Sequence, residues 1–186
     1  MFDRFPSTAG LMALLDASTE AGERERVEAL VERAIRAPES APADAMQWLA
    51  AMAAWLLEWH DDVPAARAAY ERALDFDVDP VVIDELLPLV VRDEDLSTPA
   101  RWFERLADVT EFADAKADAL DRAATLYELA GDGARAIELG RLAMQVSTPT
   151  DADRERWSDR CFRIDGADAF RHATADIDAT GLGARH

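Results

Sequence analysis

The residues of this chain best placed to do chemistry do the chemistry of recognition. Trp48, Met52, Trp55 and Trp59 are spaced i, i+4, i+7 and i+11, which puts all four on one face of a helix. Three indoles and a thioether make a broad, adaptable apolar surface of the kind that anchors protein–protein contacts. If Ala53, Ala54 and Leu57 pack on the partner helix, this stripe faces a groove. The competing reading packs the stripe beneath a neighbouring helix. Replacing Trp55 with Ala separates the two: a binding stripe loses its partner with helicity intact, whereas a packing stripe loses the fold.

Reactive chemistry finds no comparable constellation. The sequence holds no Gly-rich phosphate loop, no nucleophile elbow and no HExxH pair. The run from Asp75 to Pro80 spaces its carboxylates like a calcium loop. An EF-hand, however, needs Gly at its sixth place and a bidentate Glu at its twelfth, where this chain has Pro80 and Leu86. His60, His172 and His186 are isolated and lack metal-ligand spacing. Cys161 is the sole cysteine, so no internal disulfide forms; Arg160 and Arg163 flank it, but a lone thiol of this kind reads as inert. The expectation is no catalytic residue, no metal and no cofactor.

Positioning these residues requires helices. Alanine is abundant and β-branched and aromatic residues are sparse, which favours an all-α chain. No strand-like alternation of useful length appears. The 186 residues suit one domain, expected over 1–180, with a frayed tail at 181–186. Net charge is -18, from 38 acidic and 20 basic residues, so a nucleic-acid surface is not expected. Asp outnumbers Glu, 23 to 15, and Lys116 is the single lysine, a pattern of general surface acidity that also attracts a basic partner. The N-terminus lacks a basic start and a long apolar core, and the longest apolar stretch, Trp48 to Leu57, is about half a membrane span. A cytoplasmic protein without a membrane partner is expected.

Turn signals at Gly22, Asp61, Asp95, Gly131 and Gly166 are 39, 34, 36 and 35 residues apart. Helical hairpins therefore span about 7–37, 43–76, 80–109 and 112–147, followed by a more polar closing pair near 151–163 and 167–178. Asp62 is placed to cap a helix, Thr98 to cap another ahead of Pro99, and Pro88 to kink or delay the helix from Val81 to Val91. A hairpin of this kind cannot bury its apolar face alone, and stacking hairpins does so.

Leu120, Ala123, Ala124, Tyr127 and Ala136, with Ala50, Ala53, Ala54, Leu57, Ala66 and Tyr70, resemble the tetratricopeptide-repeat (TPR) family. Gly140 departs, standing where an aromatic is usual. The third hairpin matches poorly at Asp84 and Pro88. The resemblance implies a right-handed α-solenoid of about four repeats plus a C-terminal capping pair. It also implies a protein that binds a peptide or helix in a concave groove lined by the first helix of each pair. In that register the groove takes Met12, Asp16, Trp48, Met52, Trp55, Trp59, Leu86, Leu89, Arg92, Asp121, Arg122, Thr125 and Glu128. The Lys and Asn that some relatives use to hold a C-terminal carboxylate are missing, so an amphipathic, basic partner suits this groove better. A dedicated-client chaperone, a self-associating scaffold and a non-catalytic enzyme subunit are the other functions such a fold implies.

Overall fold

Local chemistry sets the helix ends. Asp62 Oδ1 accepts from the Ala65 backbone N–H at 3.0 Å, and Asp132 Oδ1 accepts from the Arg135 N–H at 3.1 Å. Each is a side-chain N-cap at the same place in its hairpin. The turn before each cap needs a left-handed residue: Asp61 has φ 48° and Gly131 has φ 85°. Thr150 and Asp153 form a reciprocal capping box, with Thr150 N–H donating to Asp153 Oδ2 at 2.8 Å and Asp153 N–H donating to Thr150 Oγ1 at 3.2 Å.

The computed structural model describes residues 10, 13, 15, 23–37, 40–91, 95–164 and 166. The helices are α1 (Arg24–Ile35), α2 (Pro42–His60), α3 (Val63–Phe76), α4 (Pro80–Val91), α5 (Ser97–Val109), α6 (Ala113–Leu129), α7 (Gly133–Val146) and α8 (151–164). Among the described residues there is no strand. The all-α class expected from composition is what the chain adopts. The first helix of the first hairpin, the closing helix at 167–178, the tail at 181–186, and the groove candidates Met12, Asp16 and Arg92 lie outside the described residues.

The chain divides into two compact units, 1–94 and 95–186. In the first, α2 and α3 form the hairpin and pack on α1 and α4. Its core holds Val31, Leu49, Ala53, Leu56, Ala66, Tyr70, Leu74, Ile83 and Val90. In the second, α6 packs on both α5 and α7. Ala100, Phe103, Ala123, Ala124, Ala136 and Leu139 are buried there, and α8 closes the unit. The expected third hairpin is thus divided, with α4 in one unit and α5 in the other.

Two local expectations are revised. α4 runs through Pro88, which is exposed and sits in the last turn, where a missing N–H costs one hydrogen bond. α5 starts at Ser97, and its cap is supplied by Asp95, whose Oδ1 accepts from the Thr98 N–H at 3.2 Å. A carboxylate three residues upstream does the work expected of the Thr98 hydroxyl.

Candidate functional site

Helix α2 is apolar around most of its girth, and it buries most of what it carries. Trp48, Met52 and Trp55 are buried, while Trp59 is 48% exposed. Ala53 is buried, Ala54 is exposed and Leu57 is intermediate. The helix therefore turns its tryptophan face inward rather than the Ala54–Leu57 face. Trp55 meets the His60 ring, five residues on, edge-on with centroids 4.3 Å apart. α1 is tied to this hairpin by Arg24, which bonds Asp62 at 2.8 Å, and by Glu32, which pairs with Arg72 at 2.6 Å. Leu86 and Leu89 of α4 are likewise buried.

The candidates on α6 are placed differently. Asp121, Thr125 and Glu128 line one face of α6, at i, i+4 and i+7. Arg160, itself 2% exposed, reaches all three: Nη1 to Asp121 Oδ1 at 2.8 Å, Nη2 to Thr125 Oγ1 at 2.8 Å and Nε to Glu128 Oε2 at 3.1 Å. Arg163 adds Nε to Glu128 Oε1 at 2.6 Å, and Arg156 adds Nη1 to Asp121 Oδ2 at 3.0 Å. This face is occupied by α8 of the same chain. A buried guanidinium is tolerable because three acceptors satisfy it. The Arg163 hydrogen bond holds the Glu128 carboxyl below its ordinary range; burial opposes this and Arg160 assists. Arg122 stands apart from this face, its guanidinium 4.1 Å from the Phe103 ring centroid.

Beside that latch is a pocket of about 360 Å³. Asp114, Asp118 and Asp121 of α6, Gly140 and Met144 of α7, and Asp153, Arg156 and Trp157 of α8 contribute to its walls. Gly140 is the reason for the shape on one side. A Cβ there would come within 2.7 Å of Trp157 Cδ1, so the indole lies against bare backbone. The aromatic missing at 140 is thus supplied by α8.

Sequence reasoning missed Asp114, Asp118, Gly140, Arg156, Trp157 and Arg160 as site residues. One signal was present: Arg156, Arg160 and Arg163 repeat the i, i+4, i+7 spacing that drew attention to the tryptophans. Among the described residues no group of three or more His, Cys, Asp or Glu could hold a metal ion. No helix there is long and apolar enough to cross a membrane.

No family model and no curated protein sequence matches this chain. Solved structures do. The TPR-like repeats of a kinesin light chain from Podosopora anserina align over 100% of both chains with a TM-score of 0.51 at 12% identity. PilF of Pseudomonas aeruginosa aligns over 94% of this chain and 76% of its own, with a TM-score of 0.46 at 15% identity. BtubC from P. vanneervenii aligns over 96% and 82%, with a TM-score of 0.45 at 14% identity. At such identities the likeness is one of fold, carried by the first of the three. The chain has a TPR-like, all-α helical-repeat fold.

Proposed function

We propose that this chain is a non-enzymatic adaptor that holds a basic, amphipathic segment of a partner protein. The observation that carries the proposal is the open pocket of the second unit, walled by Asp114, Asp118, Asp121 and Asp153 in a chain of net charge -18. A cavity with carboxylates around apolar walls suits a cationic side chain on an apolar stem. In the first unit, Trp59 is the member of the tryptophan stripe that solvent and a partner reach, and its exposed indole is a hot-spot residue type. Asp121, Thr125 and Glu128 act as the seat of α8, and the pocket edge beside them is the binding surface.

Affinity purification with the whole chain as bait, followed by mapping of the bound segment, tests this. The expected partner segment is basic and amphipathic, and its binding weakens as salt rises, as screening of a carboxylate-lined site requires. An acidic partner segment, or binding indifferent to salt, overturns the reading.

Self-association is a second reading with its own support. Val109 and Phe112 are 64% and 79% exposed on either side of the turn between α5 and α6. Sedimentation at increasing concentration decides it: a dimer lost in Phe112→Ser would establish it, and a monomer throughout would remove it.

A further inference from the structure

We infer that the pocket of the second unit is a receptor for a single arginine side chain of the partner segment, with Asp114 and Asp118 as its counter-charges and Trp157 as its wall. This inference deepens the adaptor proposal and rests on it for the source of the arginine.

Three observations carry it. The first is the state of the carboxylates. Asp121 and Asp153 are committed: Arg156 bonds Asp121 at 3.0 Å and Asp153 at 2.8 Å, and Arg160 bonds Asp121 at 2.8 Å. Asp114 and Asp118, one helical turn apart on α6, line the same cavity without an ion pair or hydrogen bond among the described residues. Two free carboxylates about one turn apart match the forked donors of a guanidinium better than the point charge of an ammonium.

The second is Trp157. It lines the pocket, is 3% exposed, and its indole N–H has no hydrogen-bond partner among the described residues. The Cδ1–Nε1 edge faces Gly140, another wall of the cavity, whose missing side chain leaves a notch bordered by Arg160 Nη1. A buried donor without an acceptor is a standing cost, and an acceptor brought through that notch removes it. The peptide carbonyl next to a bound arginine is such an acceptor. A cation with an adjoining carbonyl is therefore the chemistry that completes the site, and an arginine residue carries both.

The third is the origin of the space. α2 and α3 of the first unit repeat α6 and α7 with an offset of 70 positions, set by the caps Asp62 and Asp132. At the two corresponding places the first unit carries Trp48 and Tyr70, both buried, where the second carries Asp118 and Gly140. Trp157 of α8 takes the place of Tyr70, but nothing of tryptophan size stands where Trp48 does, and Asp118 lines the cavity there. Its walls of Ala117, Ala143, Met144 and Pro149 suit the methylene stem of an arginine.

The test uses the full chain labelled with ¹⁵N. Its five tryptophans give five indole N–H signals, and Trp157→Phe assigns the relevant one. The probes are the blocked tripeptide acetyl-Gly-Arg-Gly-amide and its citrulline analogue, which keeps the shape and loses the charge. The arginine peptide is expected to shift the Trp157 signal to saturation. The citrulline peptide and the double variant Asp114→Asn/Asp118→Asn are expected to weaken binding about tenfold or more. Asp114 and Asp118 are exposed, so the variant keeps its helical circular dichroism. Equal binding of the citrulline peptide, equal affinity in the double variant, or a Trp157 signal unmoved by arginine overturns the inference. The two proposals fail separately. A protein partner held equally by wild type and double variant removes the arginine pocket and leaves the adaptor. An arginine peptide bound without any basic protein partner removes the adaptor and leaves the pocket.

Discussion

Hairpins α2–α3 and α6–α7 repeat each other position for position, yet they meet their neighbours through opposite materials. Their turns are near copies. The cap residues Asp62 and Asp132 have φ, ψ of -95°, 77° and -87°, 72°. Their faces differ. Where α2 buries Trp55, α6 carries exposed Thr125, and where α4 buries Val90, α8 buries Arg160. Where α3 inserts Tyr70, with a hydrogen bond to Glu85, α7 has Gly140 and receives Trp157 from α8. Burial and that Glu85 bond both raise the Tyr70 hydroxyl pKa well above its ordinary value. The repeat motif constrains the hairpin turn and its alanine notches, where backbones approach. It leaves free which side of each junction supplies bulk, and whether the junction is apolar or ionic. A bulky residue on one helix can be exchanged for a bulky residue on the next, because packing density is conserved rather than residue identity.

The largest effect that sharpens this comparison lies in the apolar junction. Trp55→Ala empties a site that is 3% exposed. It should cost about 4 kcal/mol, read as a lower urea midpoint with a matching loss of helical signal. A variant that folds with wild-type stability would mean that Trp55 is a surface residue. The ionic junction comes next. Arg160→Ala removes three hydrogen bonds around a buried site, although Arg156 still holds Asp121 and Arg163 still holds Glu128, and should cost about 3 kcal/mol, with the Trp157 environment changing first. An equal loss in both junctions, each spread over the whole chain, would break the distinction between them.

The exchange of bulk is tested by moving it. Gly140→Tyr drives a side chain into Trp157 and should cost about 2 kcal/mol. Adding Trp157→Leu puts at both places the residue types found 70 positions earlier, Tyr70 and Leu87, and should recover most of that loss in a double-mutant cycle. No recovery would mean that the two junctions are not equivalent in geometry. The smallest effect is on pH. The Glu128 carboxyl is lowered from 4.5, chiefly by its Arg163 hydrogen bond, so its folded form holds fewer protons than its unfolded form as pH falls. Its contribution to stability is complete above the ordinary carboxylate range and is lost as pH falls through the lower folded value. Glu128→Gln should flatten that part of the stability–pH curve. An unchanged slope would show that the latch does not use the Glu128 charge.

Much of the fold was legible because its signals are local. Helical class followed from alanine content, and the Asp61–Asp62 and Gly131–Asp132 turns followed from residues that cap helices or take positive φ. Of the alanines read as notches, Ala54, Ala66, Ala124 and Ala136, the last three are buried and Ala54 is exposed. The site was less legible. Periodicity put Trp48, Met52, Trp55 and Trp59 on one face, but it cannot say whether that face meets water, because exposure depends on which helices arrive beside it. Asp121, Arg122, Thr125 and Glu128 of α6 were expected to line the groove; α8 bonds the first, third and fourth, and Arg122 stands over Phe103. Arg160, which bonds all three, drew notice only as a neighbour of Cys161, since burial of a guanidinium depends on three acceptors gathered from 32 to 39 residues earlier in the chain.

The chain alone therefore determined its helices, their caps, the repeat of about 35 residues and the acidity of its surface, all of which arise from neighbours within a turn or two. Tertiary structure decided the rest. It turned the tryptophan face of α2 inward, seated Arg160 on α6, laid Trp157 against Gly140 and left Asp114 and Asp118 free at the mouth of a cavity. Those outcomes depend on the volumes and charges that distant segments bring to one place, which no periodicity within a single helix encodes.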